Sequence, residues 1–265
     1  MRVRRSAVAG TFYPADPRQR EDAVRSCLEQ ARRAPPGRLA PSPKALIVPH
    51  AGYVYSGAVA ASGYARIAGA RQQIERVVLL GPVHREPVRG LAAPDVEAFA
   101  TPLGPVQLDR AALELVLALP QVQISDAAHA GEHSLEVHLP FLVELLESFS
   151  LVPLVVGDAT PDEVAEVIEL LWGGAETLIV ISSDLSHYYD YATARRMDDA
   201  TSRAIEALAP EQIGYEQACG RIPVQGLLVT ARRRGLSVES VDVRNSGDTA
   251  GPRDSVVGYG AYVFT

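Results

Sequence analysis

Four short apolar runs, each without polar alternation, recur along the chain, and helical stretches separate them. Such runs, rich in β-branched side chains, are typical of strands buried on both faces of a parallel sheet. They are Ala45–Pro49, Val77–Leu80, Leu151–Val156 and Thr177–Ile181. Because parallel strands need a crossover connection, usually a helix, this alternation predicts an α/β fold. We expect a layered α/β/α arrangement with a central, mostly parallel mixed sheet.

The rest of the chain predicts helices between these strands and a second group of elements after them. An amphipathic helix is expected over 17–33, followed by an irregular, proline-rich connection over 34–43. Thr160 before Pro161 is a good helix start, because threonine caps and proline suits the first turn. Further helices are expected over 58–68, 110–119, 134–148, 161–171, 192–208, 210–219 and 223–234, and strands over 237–244 and 256–264. No repeat or composition shift marks a boundary, so we predict one domain, 1–265.

Composition excludes several classes of protein. The 265 residues carry a formal net charge of −7, which argues against non-specific binding to nucleic acids or anionic membranes. No apolar run approaches the ~20 residues needed to span a bilayer, and the first residues lack the apolar core of a signal peptide. The two cysteines, Cys27 and Cys219, are too few for a disulfide framework. We therefore expect a cytoplasmic protein in a reducing setting, with no nucleic-acid or membrane partner.

Polar side chains with catalytic or metal-binding chemistry follow three of the predicted strands. His50 follows the first strand, His84 the second, and Asp184 and His187 the run that ends at Ile181. In open α/β sheets, ligands bind outside the carboxyl ends of the strands. Because all three strand ends meet at one edge, we expect a functional site there.

Histidine at such an edge favours a metal site over other chemistry. The chain has no G-x-S-x-G elbow, no G-x-G-x-x-G fingerprint and no P-loop. Neutral imidazole is the commonest metal ligand, so we favour His50 and His84 as ligands over structural roles. The spacing leaves the third ligand open. Cys219, at a predicted helix junction, is one candidate for a thiolate ligand, whereas Cys27 lies within the first helix and is expected to be inert.

For the remaining candidate site residues, the sequence allows both a functional and a structural role. Asp184 either contributes to the site or caps the helix that begins near residue 192. His187, followed by tyrosines, is either a general base or part of a surface aromatic loop. In the segment 129–138, a zinc site on His129 and His133 is less favoured than a supporting or substrate-pocket role for His133 and Glu136, because Gly131 places both histidines in a loop.

Several motifs, in order along nearly the whole chain, resemble those of the Memo family and its bacterial and archaeal branch, AmmeMemoRadiSam system protein B. The matching segments are Ala7–Pro14, Pro49–Tyr53, Glu132–Glu136, Leu139–Leu142, Ser182–His187, Cys219–Pro223, Arg244–Thr249 and Val256–Tyr259. The resemblance implies a fold similar to the class III extradiol dioxygenases, which are non-haem iron enzymes.

This resemblance also implies roles for individual residues. His50, His84 and Cys219 match the metal ligands, and Cys219 stands where the dioxygenases use a carboxylate. Asp184 and His187 match catalytic pocket positions, His187 that of the dioxygenase base. His133, Glu136 and Tyr53 are assigned to the pocket or to supporting positions around it.

Two functions follow as expectations. The first is a redox protein or enzyme, dioxygenase-like, that binds Fe(II) or copper, with zinc as a further option. The alternative is a non-catalytic binding or adaptor protein that uses the same cleft to recognise a peptide or pathway partner. The branch name implies a radical-SAM protein as one such partner. The substrate is unknown.

One departure from the family pattern concerns the second strand end. Family members usually carry Gly-Pro-Ser-His-His there, whereas this chain has Gly81-Pro82-Val83-His84-Arg85. The ligand position His84 is retained, but a hydroxyl and a second histidine are absent. We expect this change to affect the surroundings of the metal and the choice of substrate rather than the ligands themselves.

Overall fold

The computed structural model describes residues 2–32 and 42–265, and it has the predicted mixed α/β architecture. The predicted connection over 34–43 falls mostly outside the described residues. The strands in chain order are β1 (Val3–Arg4), β2 (Ala45–Val48), β3 (Arg76–Pro82), β4 (Leu91–Ala93), β5 (Ala98–Thr101), β6 (Gly104–Gln107), β7 (Val122–Ile124), β8 (Ser150–Val156), β9 (Thr177–Ser182), β10 (His187–Tyr189), β11 (Val238–Asn245) and β12 (Val256–Phe264).

Helices connect most of these strands. The α-helices are α1 (Pro17–Arg32), α2 (Ala58–Tyr64), α3 (Arg110–Leu117), α4 (Asp126–Ala130), α5 (Leu139–Leu145), α6 (Pro161–Leu170), α7 (Tyr191–Glu206), α8 (Arg221–Arg234) and α9 (Ser246–Thr249). A π-helical turn (Tyr53–Gly57) precedes α2, and 3-10 turns cover Ala65–Ala70, Glu136–His138, Pro210–Gln212 and Tyr215–Gln217. None of the helices within the described ranges combines the length and apolar character needed to cross a bilayer.

The large sheet has the order β11–β12–β2–β9–β3–β8–β4–β7, and β10 pairs with the beginning of β12. Its four central strands, β2, β9, β3 and β8, are parallel. The pairs β12–β2, β11–β12 and β4–β8 are antiparallel, so the sheet is mixed with a parallel centre. A second, small sheet is formed by β1, β5 and β6.

Helices cover both faces of the large sheet. Helices α1, α2 and α5 pack together on one face, and α3, α6 and α8 pack on the other, where α7 joins α8 through the turn at 210–212. Every residue of β2 and β9 is buried, as expected for strands covered on both sides. At Gly226 in α8, an added Cβ would lie 2.5 Å from the Val164 side chain, so glycine permits the close approach of α6 and α8.

The structure confirms most predicted elements and corrects three. Residues 210–219 do not form a helix: Gly214 interrupts the segment, which makes two 3-10 turns instead. His129 lies in α4 rather than in a loop, because the Ser125 hydroxyl caps that helix by accepting a hydrogen bond from the Ala128 N–H. The helix expected from residue 134 begins as a 3-10 turn at Glu136 and becomes α-helical at Leu139.

Two buried histidines belong to the fold rather than to the strand-end site. His129 and His138 are each 1% exposed, and His129 Nε2 contacts the Ala92 carbonyl oxygen at 2.9 Å. Burial lowers the pKa of His129 to about 4 and that of His138 to about 3. In the unfolded chain both imidazoles would have a pKa of about 6.5. Below that pH the unfolded chain therefore binds protons that the folded chain does not, and the free energy of unfolding falls as the pH is lowered.

We expect the variant His138→Leu to lose part of this pH dependence. Between about pH 6 and 4, removal of one buried histidine should reduce the slope of unfolding free energy against pH by up to about 1.4 kcal/mol per pH unit. Urea titrations in the presence of a chelator measure this slope. Above pH 7 the two stability curves should run parallel, and identical slopes at acidic pH would contradict the assignment.

Candidate metal centre

The ends of three neighbouring parallel strands supply the polar residues of the site. His50 lies two residues after β2, His84 two residues after β3, and Asp184 two residues after β9. Because β9 lies between β2 and β3 in the sheet, these side chains meet at one edge. The predicted convergence at the carboxyl edge is confirmed for these three residues.

Three imidazole rings form a compact cluster at this edge. One ring nitrogen from each of His50, His84 and His133 lies within 4.8 Å of the other two. The His84 and His133 rings stack with centroids 4.5 Å apart, and His50 meets both edge-on at 5.2 and 5.3 Å. Nitrogen ligands around a tetrahedral ion lie about 3.4 Å apart, as follows from metal–nitrogen bonds of about 2.0–2.1 Å. The three donor nitrogens lie close enough together for the cluster to be compatible with a metal ion.

The buried carboxylate of Glu132 holds two of these rings. Its Oε1 accepts hydrogen bonds from His84 Nδ1 at 2.9 Å and from the backbone N–H groups of His133 and Ser134, each at 2.9 Å. Its Oε2 accepts the backbone N–H of His84 at 2.6 Å. Burial alone would raise the pKa of Glu132, but these hydrogen bonds lower it to about 2. Glu132 is therefore ionised and accepts only, so His84 carries its proton on Nδ1 and leaves Nε2 free.

A hydroxyl relay fixes the tautomer of His50 in the same way. The Ser182 hydroxyl donates to the Ser134 carbonyl oxygen at 2.6 Å, so its oxygen can accept from His50 Nδ1, which lies 2.6 Å away. His50 Nδ1 thus carries the proton, and Nε2 is an unprotonated lone pair. Support of this kind, with the second ring nitrogen bonded to an oriented acceptor, is usual for metal-binding histidines.

The electrostatics of the site keep the imidazoles of His50 and His133 neutral. Burial and the neighbouring histidines lower the pKa of His50 well below its usual value. Burial lowers the pKa of His133 to about 4, and the neighbouring His84 contributes to the same shift. Neutral imidazole is the form that binds metals, so these groups are ready as donors near pH 7.

Cys219 lies beside His50, outside the compact group of three histidines. Its sulfur is 3.4 Å from His50 Nε2 and accepts the Asp184 backbone N–H at 3.3 Å. The chain can reach this position because the next residue is Gly220, where an added Cβ would lie 2.6 Å from the Ser182 carbonyl oxygen. Burial and the Asp184 carboxyl raise the pKa of the Cys219 thiol. The sulfur is thus a protonated neighbour of the His50 lone pair, and its role as a ligand stays a prediction.

Asp184 and His187 take different positions around the centre. Asp184 does not cap α7; Asp190 does, through the Thr193 N–H. Instead, Asp184 Oδ1 accepts the His50 backbone N–H at 2.8 Å, and burial raises the pKa of Asp184 to about 7. His187 Nδ1 donates to the Leu185 carbonyl oxygen at 2.8 Å, which leaves its Nε2 free. Burial lowers the pKa of His187, so it is a neutral base.

A cleft of about 1080 Å³ connects the site to solvent. His84, His187 and Cys219 line it, together with charged and aromatic residues of the surrounding loops. This volume is at the upper end of small-molecule pockets, which span roughly 300–1,000 Å³. The cleft therefore gives a small molecule access to both the histidine cluster and the free nitrogen of His187.

Glu136 and Tyr53, the other two residues predicted to line the pocket, make structural hydrogen bonds instead. The Glu136 carboxylate pairs with Arg4 and accepts the Ala7 N–H at 2.7 Å, the Val8 N–H at 3.0 Å and the Tyr13 hydroxyl at 2.8 Å. Tyr53 donates its hydroxyl to the Val137 carbonyl oxygen at 2.7 Å. Of the three residues assigned to the pocket, His133 joins the cluster, whereas Glu136 and Tyr53 pack beneath it.

The two residues that differ from the family pattern, Val83 and Arg85, flank His84 at the edge of the site. Val83 is partly buried, and its N–H bonds the Val156 carbonyl oxygen at 3.0 Å, which continues the pairing of β3 with β8. Arg85 is exposed, and its Cδ would be 3.1 Å from a Cβ at Gly131, so its stem lies over the segment that leads to His133. The replacement thus adds a positive charge beside the cluster.

Sequence reasoning assigned no role to Glu132, Ser182 or Arg4. Glu132 directly precedes His133, and Ser182 ends the strand before Asp184, so both lay within segments already marked as functional. Their hydrogen bonds, however, join residues 48 and 132 positions apart in the chain. Their place next to a motif was therefore the one sequence signal for Glu132 and Ser182, and only the fold shows that they bind His84 and His50.

We expect Glu132→Gln to weaken metal binding by about 10–100-fold, because an amide cannot accept all four N–H groups that the carboxylate holds. Competition titrations with Co²⁺ as the probe measure the affinity, and circular dichroism checks the fold. Glu86→Gln, an exposed carboxylate on the same loop as His84, is the matched control. Equal Co²⁺ affinity in both variants would show that Glu132 does not orient the donors.

Comparisons with known proteins agree with this fold and site. The Memo-like protein family matches residues 4–263. A MEMO1 family protein of Aquifex aeolicus is 36% identical over 279 residues, covering 100% of both chains, and one of Aeropyrum pernix is 38% identical over 285 residues, covering 98% of this chain and 99% of the relative. A solved structure of an uncharacterized Escherichia coli K12 protein aligns with a TM-score of 0.52 at 14% identity, covering 82% of this chain and 98% of that one, a likeness of fold alone. With a family match over almost its whole length and relatives aligned end to end, the chain belongs to the Memo family.

Proposed function

We propose that the protein is a metal-dependent redox enzyme that binds one Fe(II) or copper ion at the histidine cluster and acts on a small molecule in the adjoining cleft. The observation that carries this proposal is the cluster of three imidazoles beside a cysteine sulfur, in which Glu132 and Ser182 bind Nδ1 of two rings and leave Nε2 to face a ligand. Metals bound by neutral imidazole include iron, copper and zinc.

The donor chemistry fits such an ion. His50 and His84 would bind through Nε2, with Cys219 as the third ligand and His133 as a further nitrogen donor. Thiolate is a soft ligand and favours Cu(I) or zinc more than a carboxylate would. The Cys219 thiol would lose its proton on binding, because thiolate is the form that binds metals. A reducing, cytoplasmic setting, which we also propose, would keep both free cysteines reduced.

His187 is the proposed acid–base group. A bound redox metal would activate oxygen or an organic substrate, and the protein would manage the protons. Because the Leu185 carbonyl holds the proton of His187 on Nδ1, the free Nε2 can accept a proton from a substrate in the cleft. Asp184 would act through His50, whose backbone it holds, rather than on the substrate.

A second candidate function is a binding or adaptor role in which the cleft recognises a peptide or a pathway partner, such as a radical-SAM protein. The observation that favours it is a pair of exposed aromatic residues near the site, Tyr188 and Tyr215, which are 77% and 82% exposed. Exposed tyrosines are enriched at protein interfaces. In this case partner capture would persist in a variant that has lost the metal.

Metal analysis tests the main proposal. Protein purified anaerobically under reducing conditions should contain about one iron or copper ion per chain, measured by elemental mass spectrometry. His50→Ala and Cys219→Ala should each lose most of this metal, because each variant removes one of the proposed ligands. Cys27→Ser, which changes the cysteine in α1, is the matched control and should retain the metal.

Two further variants refine this test. His133→Ala reports whether the third histidine or Cys219 completes the ligand set, and His187→Gln should retain full metal content because His187 is assigned to proton transfer. A wild-type protein without iron, copper or zinc under these conditions would contradict the proposed metalloenzyme, and one that holds zinc alone would contradict its redox role. Unchanged metal in Cys219→Ala would reject the thiolate ligand.

A further inference from the structure

Arg221 occupies an unusual position for a cation. It is the first residue of α8, where the helix dipole and the unpaired N–H groups favour negative rather than positive charge. Its half-buried side chain lines the cleft. Within the described ranges, no carboxylate lies within ion-pair distance of its guanidinium, which instead sits 5.8 Å from the centre of the Tyr215 ring. A charge placed against the helix dipole without a counter-charge suggests that its partner is a ligand.

The other charges of the cleft do not fill this role. Arg89 also lines the cleft, and its backbone is bridged to that of Asp158, an acidic residue that lines the same cleft. Glu216 accepts a hydrogen bond from the Tyr189 hydroxyl. Of the two arginines that line the cleft, Arg221 is the one that follows Cys219 by two residues, and so the one placed beside the candidate metal centre.

Arg221 is also close to the candidate metal centre. It follows Cys219 by two residues, so their Cα atoms lie at most about 7 Å apart. Both side chains line the same cleft, together with His84 and His187. A small molecule that reaches Arg221 can therefore extend to the cluster and to the free Nε2 of His187.

We propose that the cleft binds a small organic carboxylate whose two oxygens pair with the guanidinium of Arg221. The planar fork of arginine matches a carboxylate in geometry, and a single guanidinium balances a single negative charge. This inference rests on the proposed function, because it names the class of substrate that would lie against the metal centre. Tyr215 and Tyr189 line the cleft and would cover the organic part of the molecule.

Benzoate and benzamide provide a matched pair of probes, since they share a shape and differ in charge. Calorimetry or ligand-observed NMR is performed on the full chain, both as purified and after treatment with a chelator, so that binding to a metal is not mistaken for binding to Arg221. Wild type should bind benzoate at least about tenfold more tightly than benzamide, even after chelation, because hydrogen bonds to charged groups are strong.

Arg221→Gln should abolish this preference, and Arg221→Lys should restore part of it. Arg232→Gln, an exposed residue of the same helix outside the cleft, is the matched control and should behave as wild type. Equal binding of the two probes by wild type, or a benzoate preference that survives in Arg221→Gln, would overturn the inference. The wild-type comparison needs no variant, so it stands even if Arg221→Gln fails to fold.

Metal content measured on the same samples separates the two proposals. A wild type that holds metal as purified, but does not distinguish benzoate from benzamide after chelation, contradicts only the carboxylate site. Wild type that prefers benzoate through Arg221 but holds no metal supports this inference and contradicts the metalloenzyme.

Discussion

The candidate metal centre depends on the carboxylate of Glu132. This buried group binds the loop after β3, through His84, to the turn that carries His133, and it also fixes the tautomer of His84. Its own segment is anchored by Arg4, whose guanidinium donates to the Glu132 and His129 carbonyl oxygens and pairs with Glu136. Removing one partner of a buried ion pair typically costs about 3–5 kcal/mol. Through Arg4 and Glu132, the N-terminal strand β1 thus stabilises the position of the distant His84 imidazole.

The parallel centre of the sheet explains why the site forms where it does. Parallel strands end at the same edge, and their last backbone groups leave the sheet in loops that are free to carry function. Here β2, β9 and β3 end side by side, and the backbone of each following loop is held within the site: the His50 N–H by Asp184, the Asp184 N–H by the sulfur of Cys219, and the His84 N–H by Glu132. The resulting ring of contacts orients the donors before any ligand binds, so little ordering would be required on binding.

The parts of the fold and site that local pattern determines were predictable from the sequence. Buried strands, the Thr160 cap and the strand-end positions of His50, His84 and Asp184 follow from periodicity and from the geometry of parallel sheets. Residues 210–219 were predicted as a helix because apolar residues recur in them. Pro210, Ile213 and Ala218 are indeed buried, but the segment breaks into two 3-10 turns, and Tyr215 in the second turn is exposed. The hydrogen bonds of Glu132 and Ser182 and the small sheet of β1, β5 and β6 depend on distant partners, and sequence spacing carries no signal for those contacts.

The balance of charge at the site links the centre to its cleft. The imidazoles of His50 and His133 are neutral near pH 7, and the negative charge of Glu132 is already shared among four N–H groups. A divalent cation held by neutral nitrogens and one thiolate would keep a net positive charge. Arg221 in the cleft and Arg85 at the rim, where the family usually has histidine, add to it. An anionic molecule in the cleft would offset these positive charges, and a neutral one of the same shape would not.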